Sequence, residues 1–238
     1  MIVFYILALL SEVAGTIGGF GSSVFFVPLA SFFFEPKVVL GLTAFFHVFS
    51  NLAKLILFRK FIDKKIFLLF GLPSVIGVII GGLLATQMSF YYAELIMGIF
   101  LVSFSFYFLK NPEVHFEASK KNAITGGTTA GFLAGLIGTG GAIRGAAMAA
   151  FNLEKNFFVG TSAAIDMGVD FSRSVIYWAD GFINSSHLWY LPGLIIVSFL
   201  GSWIGKLLLN KISQIYFRKI VLILVGIIGI VSISKFFI

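Results

Sequence analysis

The chain has 238 residues, 59% of them hydrophobic and 11% charged, with a mean hydropathy of +1.04, well above the roughly 45–50% apolar content of globular domains. That excludes a soluble globular fold. A net charge of +7, with the basic residues in short loops between apolar runs, argues against nucleic-acid binding and fits the positive-inside bias of membrane proteins.

Apolar runs near residues 2–34, 38–58, 66–85, 92–109, 123–152, 157–178, 188–208 and 217–237 follow one another along the whole sequence. Each can cross a hydrocarbon core of about 30 Å, which about 20 helical residues span. The first run, opening MIVFYILALLSEVAG, has no cationic leader and contains Glu12, so it reads as a retained membrane segment rather than a cleaved signal. Runs 2–34 and 123–152 are too long for one crossing, because an unbroken helix of 30 residues reaches about 45 Å. Glycines interrupt both: Gly18, Gly19 and Gly21 in the first, Gly138, Gly140 and Gly141 in the second. Each run is expected to break into two short helices.

The two long runs also match each other. AGTIGGFGSSV from Ala14 lies over AGLIGTGGAIR from Ala134, a shift of 120. With a shift of 119, Glu35 pairs with Glu154, Gly41 with Gly160, Ala44 with Ala163, and Leu72-Pro73 with Leu191-Pro192. The chain therefore reads as an all-α polytopic membrane protein of two repeats, 1–112 and 113–238. Each repeat is a broken-helix hairpin followed by three transmembrane helices: 2–34, then 38–58, 66–85 and 92–109, and 123–152, then 157–178, 188–208 and 217–237.

Loop charge sets their orientation. If each long run folds back, Arg59, Lys60, Lys64, Lys65, Lys110, Lys120, Lys121, Lys155, Lys206, Lys211, Arg218 and Lys219 fall on one face and only Lys37 and Lys235 on the other. If each crosses once, the same residues divide eight to six. The positive-inside rule selects fold-back, which inverts the second repeat and puts both termini outside the cytoplasm of a multi-pass cell-membrane protein.

Inverted repeats with broken helices at matching positions are a recurrent transporter architecture, with the site near the bilayer midplane. Non-helical backbone at that depth survives only inside protein or along a wet cavity. The N–H groups that open the second short helix, with its positive dipole end, attract anions. The substrate-binding candidates are therefore Gly18, Gly19, Gly21, Ser22 and Ser23 in one hairpin, and Gly138, Thr139, Gly140, Gly141 and Arg144 in the other. The fixed planar cation of Arg144 suits a bidentate oxyanion.

Charges at membrane depth are costly and mark ion or substrate paths. Asp166, Asp170 and Arg173 share a helical face by their spacings of four and three, and their counterparts in the first repeat are His47, Asn51 and Lys54. Two such stripes meeting would line a polar pathway through His47, Asn51, Asp166 and Asp170. Glu12 reads either as a proton site or as the partner of a cation. Lys54 and Arg173, near segment ends, are expected to extend to the interface. Trp178, Trp189, Tyr190, Tyr91, Tyr92 and Tyr107 are expected in the interfacial belts, and the 30 phenylalanines largely against lipid.

The paired hairpins, GTIGGFGSSVFFVPLA and AGLIGTGGAIRG, resemble those of the TauE/SafE sulfite exporter family, and the resemblance covers nearly the whole chain. It implies transport of sulfite or a sulfur-containing organic anion. The second motif departs from the first in having Arg144 where the first has Val24, and Met148 where it has Pro28.

The expected activity is alternating-access carriage of a small anion, outward in preference to inward. An anion channel, a proton-coupled importer and a cation carrier using Asp166 and Asp170 remain open. No HExxH, GxSxG or cysteine nucleophile supports an enzyme, and the acids and histidines are too sparse for a metal site. No cofactor is expected. The partners are the anion and the lipid bilayer, with a homodimer left open.

Overall fold

The computed structural model describes residues 1–19, 21–85, 93–137 and 140–237. Those residues are helical with no strand among them. In chain order the helices are α1 (Ile2–Gly18), α2 (Ser23–Ala30), α3 (Pro36–Leu57), α4 (Lys64–Ile66), α5 (Leu72–Ala85), α6 (Ala93–Lys110), α7 (Lys120–Ile137), α8 (Gly140–Ala150), α9 (Lys155–Ala179), α10 (Leu191–Lys211) and α11 (Gln214–Phe237). A π-helical stretch, Phe67–Gly71, joins α4 to α5. Four of the apolar stretches, Lys37–Leu57, Lys64–Gly81, Leu188–Lys211 and Gln214–Ser234, are long and apolar enough to cross a membrane.

The first long run breaks where its glycines stand. α1 ends on Gly19, whose φ of 76° is the left-handed cap that glycine adopts without a Cβ clash, and Gly21 at φ 98° continues the turn. Fold-back follows from ring contacts. Phe34 lies 5.3 Å, centroid to centroid, from Phe4, whereas a continuous helix would hold residues 30 apart at about 45 Å. In the second run the Phe116 N–H ahead of α7 donates to the Ala150 carbonyl at the end of α8, 2.7 Å away. Elsewhere the starts are conventional. Pro36 opens α3, where its missing N–H costs nothing, and Asp63 caps α4 by accepting from the Ile66 N–H at 2.9 Å.

The chain packs as two compact units, one of residues 1–62 and 159–212, the other of 63–158 and 213–238. Each unit takes helices from both sequence halves. In the first, α1 packs on α10 so closely that a Cβ on Gly201 would meet the Glu12 side chain at 2.7 Å, and one on Gly205 would meet Thr16 at 2.6 Å. In the second, α7 packs on α5 with Gly127 against the Phe70 carbonyl and Gly131 against that of Ser74, and the Ser74 hydroxyl donates to the Gly127 carbonyl at 2.9 Å. In that unit α6 meets α11 through Gly98 and Gly229, each of which would bring a Cβ within about 2.8 Å of the other's carbonyl oxygen. So the first arm of each hairpin packs on the second spanning helix after the hairpin of the other half. Small residues do this because, within lipid, helices associate through close contact rather than through water exclusion.

The aromatic residues divide differently from the expectation. Trp178 and Trp189 are exposed, as a belt residue would be, but Phe4, Phe26, Phe46, Phe58, Phe70, Phe158 and Phe217 are among the largest fully buried side chains. In the first unit Phe4 contacts Phe26, Phe33, Phe34 and Tyr190, which locks the open end of the hairpin onto the start of α10. Phenylalanine composition alone does not separate lipid-facing rings from rings that fill the gap between two helix ends. Tyr91 and Tyr92 lie outside the described residues.

Candidate functional site

The polar side chains of the first unit converge beneath the α1–α2 turn. Glu12, one and a half turns before the end of α1, is fully buried. Its Oε1 accepts from Ser50 Oγ of α3 at 2.7 Å, from Ser202 Oγ of α10 at 2.8 Å and from Thr16 Oγ1 at 3.2 Å, and forms an ion pair with Lys54 Nζ at 2.7 Å. Its Oε2 accepts from Ser22 Oγ at 2.7 Å. Ser22 is the residue before α2, and its hydroxyl points back to α1 instead of capping its own helix. The turn is tight because a Cβ on Gly15 would sit 2.6 Å from the Ser22 backbone.

From Ser22 the network continues into α3 and α9. His47 Nε2 lies 3.1 Å from Ser22 Oγ, and His47 Nδ1 lies 3.4 Å from Asp170 Oδ2. Asn51 Nδ2 donates to the same Asp170 oxygen at 3.0 Å, and Arg173 Nη1 donates to Oδ1 at 3.4 Å while its guanidinium lies over the Tyr177 ring. A Cβ on Gly21 would be 3.6 Å from His47 Cε1, so the imidazole lies directly under the turn. A continuous polar chain thus runs Lys54, Glu12, Ser22, His47, Asp170, Arg173.

The chemistry of this arrangement follows from burial. An unpaired charge here would be costly, and each charged group carries a partner of opposite sign. Glu12 is the partner of a cation. Lys54 and Arg173 do not extend to the interface: Lys54 is 3% and Arg173 9% exposed, because a carboxylate within reach inside the unit outcompetes a distant headgroup region. The helical face shared by Asp166, Asp170 and Arg173 meets that of His47 and Asn51 through Asp170, while Asp166, one turn earlier, is also buried. The sequence reading did not mark Ser50 and Ser202 as ligands of Glu12. Ser50 lies one turn before Lys54, and that spacing was the available signal.

In the second unit Arg144 is buried on α8, three residues after Gly141. Gly138 and Thr139 lie outside the described residues. That unit also holds a cavity of about 610 Å³ lined by residues that include Phe100, Phe104, Thr125, Thr129, Ile143 and Ala147. Its walls are mostly apolar and hold no charged residue among the described ones, which does not suit an anion. Among the described residues no group of three or more His, Cys, Asp or Glu could hold a metal ion.

Among curated proteins and among solved structures nothing matches the chain. The model of the sulfite exporter TauE/SafE family, a family of membrane transporters, matches residues 4–232, and the chain belongs to that family.

Proposed function

We propose that the chain carries a small anion, sulfite or a sulfur-containing organic anion, across the cell membrane by alternating access. The observation that carries this reading is the α1–α2 turn, where backbone departs from helix at Gly19 and Gly21 inside an apolar chain, over a buried polar network. The first N–H groups of α2 supply the anion-attracting dipole end, and the glycines admit a ligand close to the backbone. Glu12 beneath the turn would repel an anion if bare, but Lys54 at 2.7 Å cancels its charge. In this reading Gly18, Gly19, Gly21, Ser22 and Ser23 bind the substrate, and in the second unit Gly138, Thr139, Gly140, Gly141 and Arg144 have the matching role. His47, Asn51, Asp166, Asp170 and Glu12 line the pathway.

The loop charges support inverted repeats with both termini outside. A monovalent anion leaving a cell that is negative inside gains about 2.3 kcal/mol per 100 mV, so export needs no coupled ion. A proton-linked carrier is the second reading, and the His47–Asp170 contact is the observation that favours it.

Reconstitution in liposomes tests the proposal. Saturating sulfite uptake with counterflow is the expected result. Ohmic single-channel currents would replace the carrier with a pore, and no flux of sulfite, thiosulfate or alkyl sulfonates would remove the anion reading.

A further inference from the structure

Glu12, with Lys54 and four hydroxyls directed at it, is an ionised carboxylate and can only accept, so the single proton of Ser22 Oγ goes to Glu12 Oε2 at 2.7 Å. Ser22 Oγ must then accept from His47, which puts a proton on Nε2 across 3.1 Å. A neutral imidazole with its proton on Nε2 presents a bare lone pair at Nδ1, 3.4 Å from an oxygen of the Asp170 carboxylate. Two acceptors would face each other in a buried site. The other neutral tautomer satisfies Asp170 but loses the Ser22 contact. Only a ring protonated at both nitrogens satisfies both sides.

From this the geometry points to a proton-binding site at His47 Nδ1, held against Asp170, whose occupancy is linked to an anion at the Gly19–Ser22 turn. The first half stands on the Ser22–His47 hydrogen bond and the 3.4 Å ion-pair approach of Nδ1 to Asp170, and the linkage rests on the anion-carrier reading. Asn51 and Arg173 both donate to Asp170, which holds it as the carboxylate and leaves the proton on the ring. The proton comes from bulk water, and no other bond changes.

The buried charged groups on the elements that carry the network are Glu12 on α1, Lys54 on α3, and Asp166, Asp170 and Arg173 on α9. α2 contributes none, and Lys206 of α10 is engaged with the Leu57 carbonyl at 2.7 Å. A charged ring under Gly21 adds attraction for an anion at the turn. By reciprocity the anion must then strengthen proton binding by the same factor. Loss of the proton frees the Ser22 hydroxyl to choose between Glu12 and His47, and Ser22 is the residue that opens α2. Glu12 is excluded as the proton carrier because its oxygens are already taken by ionic and hydroxyl donors.

The full-length protein labelled with nitrogen-15 histidine tests the site in nanodiscs at about pH 6.5, within the range where histidine charge changes. The chain has three histidines, and the His47 signal is the one lost in His47→Gln. The expected spectrum has both His47 nitrogens protonated, changing in Asp170→Asn to a neutral ring with its proton on Nε2. A neutral ring in the unaltered protein overturns the site.

Methanesulfonate, which stays singly charged throughout, then probes the linkage. Its Kd should rise by up to tenfold per pH unit as the pH is raised through loss of the ring proton in the unaltered protein, and stay flat in His47→Gln. A flat Kd in the unaltered protein overturns the linkage. Absence of methanesulfonate and sulfite binding removes the anion reading and with it the linkage, while the ring spectrum still decides the proton site.

Discussion

Removing Lys54 is the sharpest test of the buried network. Lys54→Met keeps the length of the side chain and deletes the charge 2.7 Å from a fully buried Glu12. Breaking a buried ion pair by deleting one partner costs about 3–5 kcal/mol, because the survivor stays buried and uncompensated. Four hydroxyls remain on Glu12, from Thr16, Ser22, Ser50 and Ser202, so the low end near 3 kcal/mol is expected. At about 2–4 °C per kcal/mol for a chain of this size, Tm should fall by about 6–12 °C. Glu12→Gln alone should lose a similar amount, because Lys54 is then left unpaired. The double variant Glu12→Gln with Lys54→Met should recover to within about 1.5 kcal/mol of the original, since the four hydroxyls can serve a neutral amide and no bare charge remains. Thermal denaturation of the four proteins in one detergent measures the cycle. Additive losses would refute the claim that the pair acts as a unit, and an unchanged Tm in Lys54→Met would refute its burial.

Gly131→Val should abolish folded yield by size-exclusion chromatography, since its Cβ would fall on the Ser74 carbonyl. Gly181→Ala, at φ 71° with nothing within 4 Å, should cost only about 1–2 kcal/mol of backbone strain. Arg144→Ala should lose most sulfite flux in liposomes, and flux and affinity equal to the original would remove Arg144 from the site. The chain has no cysteine, so single replacements report topology cleanly. An impermeant maleimide should label Ile2→Cys from outside intact cells and Lys60→Cys only after permeabilisation, and a protected N-terminus would refute the inverted arrangement.

The break in the first long run was legible in the sequence because two independent constraints act there. A bilayer has a fixed thickness, and a helix of 33 residues exceeds it, so the chain must turn, while glycine is the residue that makes the turn possible. Helix ends were legible to within a few residues, as for α3 at 36–57 against 38–58. The π-helical stretch before Leu72 was not, since nothing in FLLFG distinguishes it from α-helix. The spacing of Asp166, Asp170 and Arg173, and of His47, Asn51 and Lys54, was legible as two polar faces because 3.6 residues per turn places them so. Which groups would pair was not. Periodicity fixes the direction of a side chain around its own helix and says nothing of which other helix lies opposite.

That limit explains why Lys54 and Arg173 were placed at the interface. On an isolated helix near its end, reaching toward headgroups is the least costly route for a cation, and the sequence offers no rival partner. The fold supplies one: Glu12 stands 42 residues away and Asp170 is fixed by α9, and each offers a charged acceptor that a headgroup region would have to match. Small residues decide the rest. Gly201 lets α10 come close enough to Glu12 for Ser202, the next residue, to reach its carboxylate. A larger residue at 201 would separate those helices and leave Glu12 with a donor fewer. The glycines of α10 therefore govern the electrostatics under the α1–α2 turn as directly as the charged residues do.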